Sequence, residues 1–203
     1  MSLTRHKMTA GAQLASETAH AAVFVVSGSL QSEGELISAG NGAYASRAQM
    51  TTQQASEILM FEVGRAGDPG FALNSDKSVL NSRFDLMEGK VFLRLDQISF
   101  PPGACAYRHI HPGAGIRYLT CGELEIQSDH GSESMAAGSA WFEDANSPVK
   151  AVASQTEPTA FVRAMVLPVE YFGKPTINYL DRADDNKPKL QTNTRFFDQP
   201  IDL

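Results

Sequence analysis

Two histidines separated by one residue, His109-Ile-His111, are the side chains of this sequence whose types and spacing most directly suggest chemistry. Side chains on an extended strand alternate between faces, so the two imidazoles share one. Such a pair can offer two nitrogens to a single metal ion. It can equally be a solvent-facing or core pair without a ligand, and spacing alone leaves both open. Tyr107 precedes His109 by two positions and, by the same alternation, can add a phenolate on that face. Glu143 is a further candidate donor.

Arg117 follows in the same segment. If the chain folds as a hairpin with His111 opposite position 115, then His109 stands opposite Arg117 and Cys105 opposite Cys121. In that register Arg117 points inward beside both histidines. A cation so placed needs an anionic partner, because an unpaired buried charge is costly. A ligand carboxylate held bidentately would serve, and so would an internal acid such as Glu143 or Glu123. Trp141, the only tryptophan, reads as a core or wall aromatic or as a face for stacking a ligand. Cys105 and Cys121 read as small buried hydrophobes. His6, His20 and His130 read as surface or loop residues.

The segments that must position these groups are mostly short and alternating, the signature of strands. Val91–Phe100 ends at Pro101-Pro-Gly103, where prolines fix φ and glycine relaxes it. Arg117–Cys121, Leu124–Ile126 and Ala160–Leu167 are further strand-like runs. The Gln49–Glu62 region fits a helix or strands; no long amphipathic helix is evident. The expected class is all-β, with strands separated by glycine turns.

The sequence also resembles itself. Val23-Phe-Val-Val-Ser-Gly28-Ser-Leu30 aligns with Arg117-Tyr-Leu-Thr-Cys-Gly122-Glu-Leu124. Glu35–Tyr44 aligns with Glu133–Phe142, matching Gly40 to Gly138, and the approach to Gly11 resembles the approach to Gly103. The shared order of turn glycines indicates duplication. The copies are placed at 1–64 and 88–172, joined by a linker at 65–87 and followed by an extended C-terminal arm at 173–203.

The segment Gly103-Ala-Cys-Ala-Tyr-Arg-His109-Ile-His111, continuing through Tyr118 to Gly122, resembles the first motif of the cupin superfamily, and Gly138–Val149 resembles the second. The resemblance covers about 150 residues. It implies two tandem cupin-type double-stranded β-helix (jelly-roll) barrels, a bicupin of the RmlC-like kind. It also implies a metal site of three histidines and one glutamate, from which this chain departs. The motif glutamate falls at Gly115 and the second-motif histidine at Val149. In the first copy, Ala15 and Glu17, or Glu17 and Ala19, stand where the histidine pair would be. Two imidazoles hold a metal weakly, since a catalytic site normally takes three protein ligands.

The resulting expectation is a cupin-domain protein binding a small organic acid in the second barrel, through Arg117, His109, His111, Tyr107 and Trp141. The alternative is a metal-dependent dioxygenase, lyase or isomerase. Its divalent Fe, Mn, Ni or Zn would rest on His109 and His111, with Tyr107 or Glu143 as further donors, and Arg117 would orient a substrate carboxylate. A third reading is a barrel that mainly dimerises, and family habit points to a homodimer. With 17 basic against 23 acidic side chains and a net charge of −6, no nucleic-acid partner is expected. The longest apolar run, Ala21 to Val26, is six residues, against the ~20 a spanning helix requires; no membrane partner is expected. Two cysteines and no apolar leader make the cytoplasm the expected location.

Overall fold

A computed structural model describes residues 1–16, 18–65, 67–68 and 78–203. Glu17, one position of the alignment above, lies outside the described residues, as does much of 65–77. No helix among them is long and apolar enough to cross a membrane.

The first strands are β1 (Ser2–Met8), β2 (Gln13–Ala15), β3 (His20–Ser27), β4 (Ser29–Ser32), β5 (Glu35–Ser38), β6 (Gly42–Ala45), β7 (Gln49–Thr52), β8 (Ser56–Val63) and β9 (Ser78–Asn81). They form two antiparallel sheets in the orders β6-β3-β8-β1-β9 and β2-β7-β4-β5. The second set is β10 (Val91–Phe100), β11 (Cys105–Ile110), β12 (Ala114–Cys121), β13 (Glu123–Ser128), β14 (Gly131–Ala136), β15 (Ala140–Glu143), β16 (Val149–Ala153), β17 (Thr159–Pro168), β18 (Asn178–Tyr179) and β19 (Thr192–Ile201). Its sheets run β15-β12-β17-β10-β19 and β14-β13-β16-β11-β18. Position for position these orders repeat the first pair, with β18 added. The chain is therefore two facing-sheet jelly rolls in tandem.

The aligned glycines show why the copies fold alike. Gly28 and Gly122 join β3 to β4 and β12 to β13 at φ +80° and +74°, the left-handed region that glycine enters without steric cost. A Cβ at either position would also come within 2.3–2.5 Å of Ser56 or Thr159 side-chain oxygen. The region read as helix or strands is β7 and β8. The stretch read as a linker contributes β9, paired with β1. The segment read as an extended arm contributes β19, which runs along β10 from Val91 to Ser99.

The sheet β15-β12-β17-β10-β19 is covered on both faces. Leu93, Leu95, Ile116, Val162, Ala164 and Val166 point toward the first barrel and join Leu3, Phe24, Leu59 and Phe61 in one shared core. Burying each of the larger of these side chains contributes about 1.5–3 kcal/mol. The alternate residues point into the second barrel.

One expectation about the hairpin is corrected. β11 and β12 do not pair: β11 pairs with β16 and β18, and β12 with β15 and β17. The chain crosses from one sheet to the facing one between Ile110 and Ala114, so His109 is not opposite Arg117, nor Cys105 opposite Cys121. Cys105 is half-buried and Cys121 is exposed, which corrects the reading of both thiols as buried.

Candidate functional site

Cross-strand register builds the site. Trp141 on β15, Arg117 on β12, Arg163 on β17, Asp96 on β10 and Arg195 on β19 are successive partners across the whole sheet. Arg117 and Arg163 thus face each other directly, an arrangement that is unfavourable unless each has its own counter-charge. Both do. Arg117 lies 2.7 Å from Glu143 Oε2, and Arg163 donates to both Asp96 oxygens at 2.7 and 3.1 Å. Arg94, in the neighbouring row, is held by Asp198 at 2.6 and 2.7 Å.

Opposite this ladder, β11 brings in the histidines. Between Ala106 and His109 the register against β16 shifts: three steps on β11 span the two from Ala151 to Val149. Such a bulge interrupts alternation. His109 keeps company with Ala106 in the cavity wall, while Tyr107 is absent from it and its ring lies under Lys187 Nζ, 5.0 Å from the centroid. The expected shared face of Tyr107 and His109 does not form.

Together these elements enclose a cavity of about 300 Å³. Ile98, Phe100, Ile126, Trp141, Val149 and Phe161 form its apolar wall, and Arg117, Arg163, Arg94, His109 and His111 its polar side. Segments 175–179 and 189–195 from the tail complete the lining. Trp141 is a wall aromatic: it packs edge-on against Phe161 at 5.3 Å and donates Nε1–H to Glu143 Oε1 at 2.8 Å. Glu143 is therefore the internal acid that pairs Arg117, and Glu123 is not.

The hydrogen bonds fix both imidazoles. His109 donates Nδ1–H to the Tyr107 carbonyl at 2.6 Å. His111 donates Nδ1–H to the Thr176 carbonyl at 3.1 Å and accepts from Arg163 Nη1 through Nε2 at 3.0 Å. Only this tautomer fits, since a carbonyl cannot donate and a guanidinium cannot accept. Burial lowers the pKa of His109 and lowers that of His111 further, with Arg163 adding to the latter effect; both are neutral at pH 7. Burial also brings Arg117 down to about 10, against the opposing pull of Glu143, so it remains charged.

The metal set implied by a cupin motif does not fit these residues. Its four positions are His109, His111, Gly115 and Val149; the last two carry no donor, and His111 Nε2 is engaged by a cation. Among the described residues no group of three or more His, Cys, Asp or Glu side chains is arranged to hold a metal ion. Both oxygens of Glu143 are taken by Trp141 and Arg117, and Tyr107 is outside.

Sequence reasoning missed Arg163, Arg94, Asp96 and the tail residues. A signal was present: a charge inside an apolar run, as in Val91-Phe-Leu-Arg94-Leu-Asp96 or Phe161-Val-Arg163-Ala-Met-Val. A strand covered on both faces leaves such a charge no solvent, so it must be paired or functional. In the tail, buried Gln191 Oε1 and Arg195 Nε have no hydrogen-bond partner among the described residues, although both residues line the cavity.

No protein-family model matches the sequence, and no curated protein matches it. Solved structures are similar. A DEL162-163 mutant of the Bacillus subtilis oxalate decarboxylase OxdC is 13% identical, with a TM-score of 0.60 over 92% of this chain and 73% of its own. AerE from Microcystis aeruginosa is 13% identical, with a TM-score of 0.58 over 81% of this chain and 87% of its own. The polyketide cyclase RemF from Streptomyces resistomycificus, 18% identical with a TM-score of 0.38, matches 45% of this chain, which spans 64% of RemF's length. The first two show the fold.

Proposed function

We propose that this chain, which has the cupin fold in two tandem barrels, binds a small carboxylate with an apolar body in the second barrel. The charge balance of the cavity carries this reading. Five cations line it, Arg94, Arg117, Arg163, Lys189 and Arg195, against Asp96 and Glu143, with Asp198 behind Arg94. The excess is two positive charges, and Arg94, Arg117 and Arg163 are buried, where Coulomb attraction is less screened. The facing wall of Phe100, Phe161, Trp141 and Ile126 suits a hydrocarbon or aromatic body. About 300 Å³ is at the small end of ligand pockets, which limits the ligand to an acid of modest size.

His109 Nε2, a neutral lone pair without a partner among the described residues, gives a hydroxyl on such an acid an acceptor. Arg117, already committed to Glu143 and the Gly115 carbonyl, contributes charge more than free donors.

Calorimetry with 3-phenylpropanoate and its neutral amide tests the proposal, with Trp141 emission as a second readout. The acid is expected to bind and perturb Trp141, and the amide to bind at least about tenfold more weakly. Equal binding of the two, or binding of neither, would refute it.

A further inference from the structure

We infer that the Arg163 guanidinium holds, in this barrel, the place and the charge of a metal ion. Both imidazoles are oriented as metal-binding histidines commonly are, with Nδ1–H tied to a backbone carbonyl and Nε2 left as the free lone pair. For His109 that lone pair is open. For His111 it is filled by Arg163 Nη1 at 3.0 Å.

On its other edge the same guanidinium takes the Asp96 carboxylate with two donors, and Asn193 braces that carboxylate with a third hydrogen bond at 2.8 Å. One imidazole nitrogen and one carboxylate thus converge on a single cation, beside a second imidazole 4.9 Å from the first between ring centroids. Two histidines and a carboxylate are donors that divalent metals gather. Here a residue that is permanently protonated gathers two of them instead.

The remaining valence of Arg163 points to what it does. A guanidinium carries five N–H donors; three have partners, two on Asp96 and one on His111. The other two are unassigned in a residue that lines the cavity. On the reading that the ligand is a carboxylate, these two donors receive its oxygens, as open positions on a metal would. Arg117, by contrast, is engaged by Glu143, the Gly115 carbonyl and Met165.

Cobalt(II) titration followed by visible absorbance tests the substitution without any carboxylate present. The wild-type chain is expected to show no ligand-field band at one equivalent. Arg163→Ala removes the cation that occupies His111 Nε2 and Asp96, and is expected to gain cobalt affinity by roughly tenfold or more. Wild-type cobalt binding that is lost in His111→Gln, or no gain in a folded Arg163→Ala variant, would overturn the inference.

If Arg163→Ala does not fold, imidazole nitrogen NMR of the wild type decides. His111 is expected as the Nδ1–H tautomer at pH 7, unchanged by one equivalent of zinc. A zinc-induced shift at its Nε2 would overturn the inference. Failure of 3-phenylpropanoate to bind the wild type sinks the proposed function alone, because neither metal measurement depends on it.

Discussion

Removing Asp96 isolates the energetics of the ladder. Asp96 is fully buried and Arg163 nearly so, and Asp96→Ala leaves that guanidinium without its counter-charge, facing Arg117 across the strand pair. Breaking a buried pair from one side costs about 3–5 kcal/mol. For a chain of this length, each kcal/mol lowers the melting temperature by about 2–4 °C, so the expected drop is about 6–20 °C.

The double variant Asp96→Leu, Arg163→Met removes both charges and refills the volume. It leaves only His111 Nε2 and the Asn193 amide short of a partner, at about 1–3 kcal/mol each and less where cavity water reaches them. It should therefore melt above the single variant. As a control, Asp129→Ala breaks the exposed Arg108–Asp129 pair and should stay within about 2 °C of wild type. Thermal unfolding by circular dichroism reads all three. Asp96→Ala melting within about 3 °C of wild type, or the double variant melting below it, would refute the buried-pair argument.

Two further outcomes are expected. Gly115→Ala places a Cβ 2.2 Å from the Ala164 carbonyl oxygen on β17, so it should destabilise by about 1–3 kcal/mol in chemical denaturation, and a midpoint equal to wild type would contradict the close approach of β12 and β17. Because burial lowers the pKa of His109 and His111 below the ordinary 6.5, the unfolded chain takes up protons below that value which the folded chain does not. Stability should therefore fall as pH drops from 7.5 to 5.5, by up to about 1.4 kcal/mol per pH unit for each histidine. The slope should flatten in His109→Gln, His111→Gln; identical slopes would show that these imidazoles do not titrate as described.

Much of the architecture was legible because turn chemistry is local. Gly28 and Gly122, Gly40 and Gly138, and Gly11 and Gly103 align in sequence, and all six adopt positive φ. A duplicated pattern of such glycines forces a duplicated order of strands. The histidine pair was legible through alternation; the inward Arg117 was reached through a hairpin pairing that does not form, although the residue does line the cavity. What alternation cannot show is where it stops. The bulge after Ala106 removed Tyr107 from the cavity, and the crossing between sheets at Pro112-Gly113 replaced the expected hairpin. Arg163 stands out in sequence only as a charge in an apolar run, because its partners are 67 and 52 positions away, at Asp96 and His111. Only the completed sheet brings them together.

The two-faced sheet also acts on the folding process itself. Val91–Phe100 and Thr159–Pro168 pair residue for residue along their full length, and a slip of one position would still satisfy most backbone hydrogen bonds. It would not satisfy the side chains. A one-residue slip of a strand turns its set to the opposite face: a misaligned β17 would thrust Arg163 among Leu3, Phe24 and Phe61, and a misaligned β10 would send Arg94 and Asp96 there. A charge stranded in that apolar layer costs several kcal/mol, enough to melt the wrong pairing before it propagates. The charged row is in this sense an alignment gauge, rejecting out-of-step strands while the chain is still searching.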